Sequence, residues 1–323
     1  MGENSKKKVL LAQEIEKSGV EYLQQRGYEV VRAPREERGC IRELIRDCEG
    51  VISKTFFLDR ETLACAPALR VVGKHGVGVD NVVDVAAASA LGICVVNTPR
   101  ANANSVAEHT IGMILALSKN FRQMDLAVRE GDFFAAERMP AHEVREKTLA
   151  LIGYGNIGKR VAQIAHDGLG MQVIAYDPYF IRDEQESSVR RAAALEEALR
   201  EGDYISLHLP GVEKTYHLIG EAQIRQMKPG ACLINCARGS VVDTDALTAA
   251  LKSGRIRAAA LDVYEEEPPK AGQELFSLGN VLLTPHSSAL SEEALRQMSR
   301  DVAAGVDAVL SGKTPEWPVR PVA

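Results

Sequence analysis

Leu149-Ala150-Leu151-Ile152-Gly153-Tyr154-Gly155-Asn156-Ile157-Gly158 runs from an apolar strand through a G-x-G-x-x-G turn into a helix. The next apolar run, 171–176, ends on Asp177 and Pro178. Strand, glycine turn, helix, second strand and acidic residue stand in the order of a dinucleotide-binding βαβ unit. Gly153 permits the tight turn, Gly155 lets the backbone approach a pyrophosphate, and Gly158 lets the helix pack close to the strand. The helix N-terminus then offers N–H groups and the positive end of its dipole to the phosphates. Asp177 is placed to accept hydrogen bonds from the adenosine ribose hydroxyls. The same glycines also read as G-x-x-x-x-G-K, but Arg160 stands where a P-loop needs Ser or Thr for Mg²⁺, which excludes that reading.

Outward from this unit, short β-branched runs alternate with helical patterns nearly throughout. The runs 9–12, 29–31, 51–53, 70–73 and 93–97 predict one set of strands. The runs 149–153, 172–177, 204–209, 232–235, 258–263 and 281–284 predict a second. Such alternation predicts parallel sheets with both faces covered by helices, in two α/β units. Between the two series, Val106, Thr110, Met113, Ile114 and Leu117 recur at helical spacing, which predicts one long crossover helix over about 104–130. A final helix over 291–310 comes too late for the second sheet and is expected to return to the first. The tail beyond Gly312 reads as an extended end.

The chain has 323 residues, 46% hydrophobic and 26% charged, which suits two soluble globular domains. Its net charge of −5 excludes a general attraction to nucleic acid or to an anionic membrane, so anionic ligands must be held by local groups. The Lys6-Lys7-Lys8 run is short and reads as a solvated start before the first strand. No apolar stretch has the length of a signal peptide or a membrane span, so a cytoplasmic protein is expected. Six cysteines (Cys40, Cys48, Cys65, Cys94, Cys232 and Cys236) form no C-x-x-C pair, and the seven histidines show no HExxH or comparable cluster. Reduced thiols and no metal site follow.

Three further segments stand at the carboxyl ends of predicted strands, where open α/β sheets place their ligands. In Asn235-Cys236-Ala237-Arg238-Gly239, Arg238 can make a bidentate contact with a carboxylate, although an isolated Arg there more often caps a turn. Leu261 to Pro269 carries Asp262 and the acidic run Glu265-Glu266-Glu267; Thr284-Pro285-His286-Ser287-Ser288 carries a histidine. A lone His is usually structural and three consecutive Glu are usually solvated. Together they supply what a general acid/base near neutrality needs, an imidazole oriented and tuned by a carboxylate.

From about residue 9 to 311 the chain resembles the D-isomer-specific 2-hydroxyacid dehydrogenases, and is most similar in pattern to their 3-phosphoglycerate dehydrogenase branch without a regulatory extension. The matching segments are Gly76 to Asn81, Asn97-Thr98-Pro99, Ser105 to Glu108, the glycine turn with Asp177, His208-Leu209-Pro210, Asn235 to Asp243, Leu261 to Pro269, and Thr284-Pro285-His286. The resemblance implies a flavodoxin-like substrate domain over 1–101 and 291–323, a Rossmann NAD-binding domain over 102–290, and a homodimer. It implies that Arg238 binds the carboxylate and carbonyl oxygen of a small 2-hydroxy or 2-oxo acid. His286 would exchange the hydroxyl proton and Glu267 would pair with it, leaving Glu265 and Glu266 as bystanders. Hydride would pass between substrate C2 and nicotinamide C4. Asp262 matches a residue at the nicotinamide carboxamide. The resemblance also places Val106, Gly153, Gly155, Asn156, Ile157, Gly158, Asp177, Pro178, His208, Pro210, Thr215, Cys236 and Ala237 around NAD. Lys74, His75, Gly76, Val77 and Gly78 match the loop that receives the substrate.

Two departures bear on the substrate. Lys74-His75 stands where the family commonly has a small apolar or neutral residue, and Ser287-Ser288 stands where it usually has Ile-Gly or a similar pair. Lys74 is either solvated or a contact for a second anionic group on the substrate, such as the phosphate of 3-phosphoglycerate. A formate dehydrogenase is disfavoured, because that branch pairs its His with Gln. An NAD(H)-sensing binding protein of the same fold, similar to the C-terminal binding protein corepressors, is the alternative from another class.

Overall fold

Apolar β-branched runs near the start of the chain build five parallel strands: β1 (Lys8–Leu11), β2 (Glu29–Arg32), β3 (Gly50–Ser53), β4 (Val71–Lys74) and β5 (Cys94–Val96). They lie in the order β2-β1-β3-β4-β5, with β3 and β4 buried along their whole length. Strands covered on both faces by helices must be continuously apolar in this way. The second series gives β6 (Thr148–Ile152), β7 (Gln172–Tyr176), β8 (Val189–Arg191), β9 (Tyr204–Leu207), β10 (Ala231–Asn235), β11 (Ile256–Leu261) and β12 (Val281–Leu283). These seven are all parallel, in the order β12-β11-β10-β9-β6-β7-β8. β13 (Pro318–Val319) adds to the first sheet antiparallel to β5.

The computed structural model describes residues 6–179 and 188–320. The chain divides into two units, Met1–Asn102 with Ala289–Ala323, and Ala103–Ser288. Each is a doubly wound parallel-sheet α/β domain, the first with flavodoxin-like strand order and the second with Rossmann order. Among the described residues no helix is long and apolar enough to cross a membrane. No His, Cys, Asp or Glu cluster among them is able to hold a metal.

The late helix Glu292–Leu310 belongs to the first unit. Ser291 caps it, accepting from Ala294 N–H at 3.1 Å, and Glu292 and Glu293 complement the dipole of its first turn. Its buried face, Val302, Ala303, Val306 and Leu310, packs on Val9, Leu11, Ile52 and Val71. The approach is close at β4, where a Cβ on Gly73 would come within 2.7 Å of Val302 Cγ2.

Three elements differ from the sequence expectation. The long crossover helix is two helices, Ala103–Ser118 and Phe121–Arg129, broken at Asn120 with φ +53°. Asn tolerates the left-handed conformation that ends a helix, and its amide reaches the carbonyls of Met139 and Pro140. The tail forms the edge strand β13, where Pro318 faces outward without a ladder donor to lose. β8 has no counterpart in the predicted set, because Val-Arg-Arg lacks the apolar run of an inner strand and serves only as an edge.

Candidate active site

In the second unit the strand order reverses between β6 and β9, so their carboxyl ends diverge at the topological switch point where such sheets bind ligands. The glycine turn follows β6 at that point. Gly153 has φ +98°, and a Cβ there would lie 2.3 Å from the carbonyl oxygen of His208 after β9. A Cβ on Gly158 would lie 2.5 Å from Gly153 O. Gly155 differs: nothing lies within 4 Å of where its Cβ would stand. Two glycines are thus required by the protein's own backbone, while the third keeps open space before the helix Asn156–Gln163. An open face there, backed by helical N–H groups, fits a pyrophosphate.

At the end of β7, Asp177 Oδ2 accepts from Tyr154 N–H and Oδ1 from Tyr179 N–H, both at 2.8 Å. Each oxygen keeps a lone pair for a ribose hydroxyl. Pro178 is exposed beside it. After β9, Thr215 Oγ1 donates to Pro210 O at 2.6 Å and so closes the 210–215 turn. His208 Nε2 lies 2.9 Å from Ser206 Oγ, and burial pushes its imidazole down to about 4, leaving it uncharged at neutral pH. These residues fit NAD, and Val106 lies buried on the helix Ala103–Ser118.

The candidate acid–base groups stand on the other half of the same sheet. β10 ends at Asn235, whose side chain accepts from Ala237 N–H at 3.0 Å and donates to Arg238 O at 2.9 Å. This clamp shapes the turn carrying Arg238, whose Nη1 donates to Ala237 O at 2.8 Å. Cys236 packs at 3.6 Å from Met113 Sδ, and burial pushes its thiol up to about 12, so it is an inert core residue. A Cβ on Gly239 would lie 1.9 Å from the Tyr264 carbonyl carbon, which fixes the distance between the Arg238 turn and the loop after β11.

That loop sorts the acidic run. Glu265 accepts from Thr244 N–H and lies 2.9 Å from His217 Nε2, so it staples the loop to the helix Thr244–Lys252. Glu266 pairs with Lys270 at the surface. Glu267 Oε2 lies 2.6 Å from His286 Nδ1, and its Oε1 accepts from Tyr264 N–H at 3.0 Å. Burial pushes the Glu267 carboxyl up, but the hydrogen bonds from His286 and Tyr264 and the charge of Arg238 outweigh it and hold it below the ordinary range. With Nδ1 committed to the carboxylate, Nε2 is the ring nitrogen available to a reacting group.

Asp262 is fully buried, so its charge must be matched; removing the partner of such a group typically costs about 3–5 kcal/mol. It accepts from Thr284 Oγ1 at 2.5 Å and from Ser287 and Ser288 N–H, both at 2.9 Å. Ser105 Oγ adds a bond to Ser288 O at 2.7 Å. Asp262 thus receives the backbone N–H groups of 287 and 288 and also the Ser288 side chain, a bond that glycine at 288 could not make. His286 itself has φ +51°, a conformation uncommon for a non-glycine residue and held here by its N–H bond to Asp262 O at 2.8 Å.

In the first unit, Lys74 ends β4 and is buried, with Nζ bonded to Lys54 O, so it is not a solvated lysine. Its Cε runs beneath Gly76, which has φ +128°. Thr98 pins that residue in both directions, through Gly76 N–H to Thr98 Oγ1 and Thr98 N–H to Gly76 O, while Asn97 holds Val77 O at 2.7 Å. The His75 ring turns inward to Ser299 Oγ at 2.9 Å. Burial, with the charges of Lys54 and Lys74, pushes it down to about 4, so only its backbone is available near Gly78. Gln13 was not anticipated: its Oε1 accepts from Lys54, Thr55 and Phe56 N–H, fixing the loop after β3 at that sheet's own switch point. A single Gln after a strand carries no sequence signal for such a role.

Residues 111–288 match the family profile described as D-isomer specific 2-hydroxyacid dehydrogenase, NAD binding domain. Over 311 residues the chain is 40% identical to a D-3-phosphoglycerate dehydrogenase of Methanocaldococcus jannaschii, covering 96% of this chain but 58% of that protein. It therefore spans little more than half the length of that relative. A glyoxylate reductase of Thermococcus litoralis is 36% identical over 322 residues and is matched over 96% of both chains. Among solved structures, the holo D-mandelate dehydrogenase of Rhodotorula graminis superposes with a TM-score of 0.89 at 29% identity, over 98% of this chain and 99% of that one. With a family profile over half its length and a full-length relative above 30% identity, the chain belongs to the D-isomer specific 2-hydroxyacid dehydrogenase family.

Proposed function

We propose that the chain is an NAD-dependent dehydrogenase that interconverts a small 2-hydroxy acid and its 2-oxo acid. The observation that carries this reading is the His286–Glu267 pair at 2.6 Å, on the same sheet as the glycine turn and Arg238. Bound NAD supplies the hydride acceptor, and NADH the donor. Arg238 holds the substrate carboxylate in the ground state and stabilises charge developing on the carbonyl oxygen. His286 moves the hydroxyl proton at Nε2, and Glu267 fixes the ring by holding Nδ1 at 2.6 Å. Asp262 keeps the His286 loop in register. In the first unit, the loop from Lys74 to Gly78 is assigned to the substrate. The test is NADH oxidation with a panel of glyoxylate, pyruvate, hydroxypyruvate, phosphohydroxypyruvate and sulfopyruvate. Turnover of none of them contradicts the assignment.

Asp177 sets the cofactor choice. A 2′-phosphate would meet a carboxylate rather than an Arg, so kcat/KM with NADH should greatly exceed that with NADPH. Comparable values would show that Asp177 does not govern selection.

The substrate class is read from Lys74, a cation buried at the end of β4 whose Cε runs beneath Gly76. We assign it to substrates with a second anionic group. Lys74→Ala should raise KM for phosphohydroxypyruvate or sulfopyruvate far more than for glyoxylate. An equal rise for every substrate would mean that Lys74 only supports the loop after β3.

A homodimer in the cytoplasm completes the proposal. Phe121, Val128, Phe133 and Phe134 are each more than half exposed along one stretch, and such a patch is characteristic of a surface covered by a partner. All six cysteines are free, which suits a reducing compartment. Light scattering at micromolar concentration should give twice the chain mass of 35.1 kDa; the mass of one chain would refute the dimer.

A further inference from the structure

Thr284 stands two residues before His286, and all its polar atoms are engaged. Its N–H donates to Leu261 O at 3.0 Å, and its carbonyl accepts from the Tyr264 hydroxyl at 2.9 Å and from His286 N–H at 3.1 Å. Its Oγ1 lies 2.5 Å from Asp262 Oδ1 and 3.1 Å from His109 Nε2. Burial pushes the Asp262 carboxyl up, but the bonds from Thr284, Ser287 and Ser288 outweigh it and hold it below the ordinary range, so it is an ionised, acceptor-only group. Thr284 has one hydroxyl proton and gives it to Asp262. Only lone pairs remain on Oγ1 for His109, so His109 is the donor and its Nε2 carries a proton. The chain of bonds therefore has a fixed direction, from His109 through Thr284 to Asp262. Among the described residues His109 is also the one ionisable base within 4.0 Å of that buried carboxylate, at 3.8 Å.

Tyr264 reaches the same strand end from the other side. Its hydroxyl holds Thr284 O, while its own N–H holds Glu267 Oε1 at 3.0 Å. One residue thus ties the segment that leads into His286 to the carboxylate that orients the His286 ring. Phe276 packs edge-on against the Tyr264 ring at 5.7 Å, which restricts how it can turn. His109 and Tyr264 lie on different elements, and both converge on Thr284.

We propose that His109 and Tyr264 are positioning residues that act through Thr284 to hold His286 and Asp262 in their working geometry. The proposal rests on the reading of this site as that of an NAD-dependent dehydrogenase. A misplacement of about 1 Å at a reacting group costs on the order of 10²-fold in rate, and the left-handed His286 backbone is a conformation that relaxes when its supports go.

The test uses the full-length chain and three variants. Tyr264→Phe deletes one oxygen while keeping the ring and the N–H to Glu267. His109→Leu deletes the donor, and His109→Gln keeps an N–H near the place of Nε2. With the best 2-oxo acid of the panel, Tyr264→Phe and His109→Leu should each lower kcat on the order of tenfold, a fraction of the misplacement penalty, while substrate KM stays within about twofold. His109→Gln should recover most of the loss. Wild-type kcat in both deleting variants, or equal loss in Gln and Leu at position 109, overturns the proposal. Nitrogen-15 NMR of the wild-type histidines tests the brace without turnover: a proton on His109 Nε2 is expected, and a bare Nε2 overturns it. A wild-type chain with that proton but no turnover of any 2-oxo acid places the failure in the functional reading instead.

Discussion

Replacing His286 with Ala should lower kcat by on the order of 10² to 10⁴, the usual contribution of a positioned side chain to proton transfer, with KM little changed. The companion variant Glu267→Gln keeps a hydrogen-bonding side chain of the same shape and removes its charge. Glu267 is held below the ordinary carboxylate range, so in the native chain its charge is fully present above that range and lost only as pH falls through the lowered value. The stability contributed by the Glu267 carboxylate follows the same window. Withdrawing the charge disfavours the imidazolium, so the kcat/KM profile for 2-oxo acid reduction, which draws a proton from His286, should move to lower pH. Reduction at neutral pH then falls and partly recovers towards acid. An unmoved profile with kcat intact would show that the 2.6 Å contact carries no catalytic weight.

Arg238→Ala should fail differently, raising KM and lowering kcat together. The guanidinium is assigned to the substrate carboxylate before reaction and to the carbonyl oxygen as its charge develops, so both parameters depend on it. Arg238→Lys should recover little, because an ammonium lacks the planar fork that grips a carboxylate at two points. Steady-state kinetics on the three forms check this. A change in KM alone would confine Arg238 to binding.

Much of this fold was legible because periodicity and glycine spacing are local signals. Six strands of the seven-stranded sheet follow from apolar runs that a buried parallel strand tolerates, β8 being the exception, and the glycine turn marks where the order reverses. What was not legible depends on single residues acting over long separations in the chain. Asn120 breaks a helical pattern that continues on both sides of it, so periodicity passes through the break. β13 exists only because β5 offers an edge, which no property of Pro318-Val319 announces.

The site divides in the same way. Arg238, Glu267 and His286 occupy strand ends in recognisable segments, and the structure brings Glu267 rather than Glu265 to the imidazole because Glu265 is taken by Thr244 and His217. Residue chemistry leaves the three acids alike, and in the sequence only the family resemblance singles out Glu267. Lys74 reads as a charge that is either solvated or ligand-facing, and its bond to Lys54 O depends on the neighbouring strand. The braces at Thr284 are silent for a related reason. His109 sits within a helical stripe, and a tyrosine differs from a phenylalanine there only through a carbonyl 20 residues away.

The central claim is that this chain moves hydride between a nicotinamide and C2 of a 2-oxo acid while His286 handles the proton. Its most direct test is incubation with NADH deuterated at nicotinamide C4, first on one face and then on the other, and with the best substrate of the panel. Deuterium on C2 of a D-2-hydroxy acid from one of the two labelled forms is the result predicted. NADH consumption that leaves C2 unlabelled with both forms, or NADH binding with no consumption on any 2-oxo acid, would contradict it.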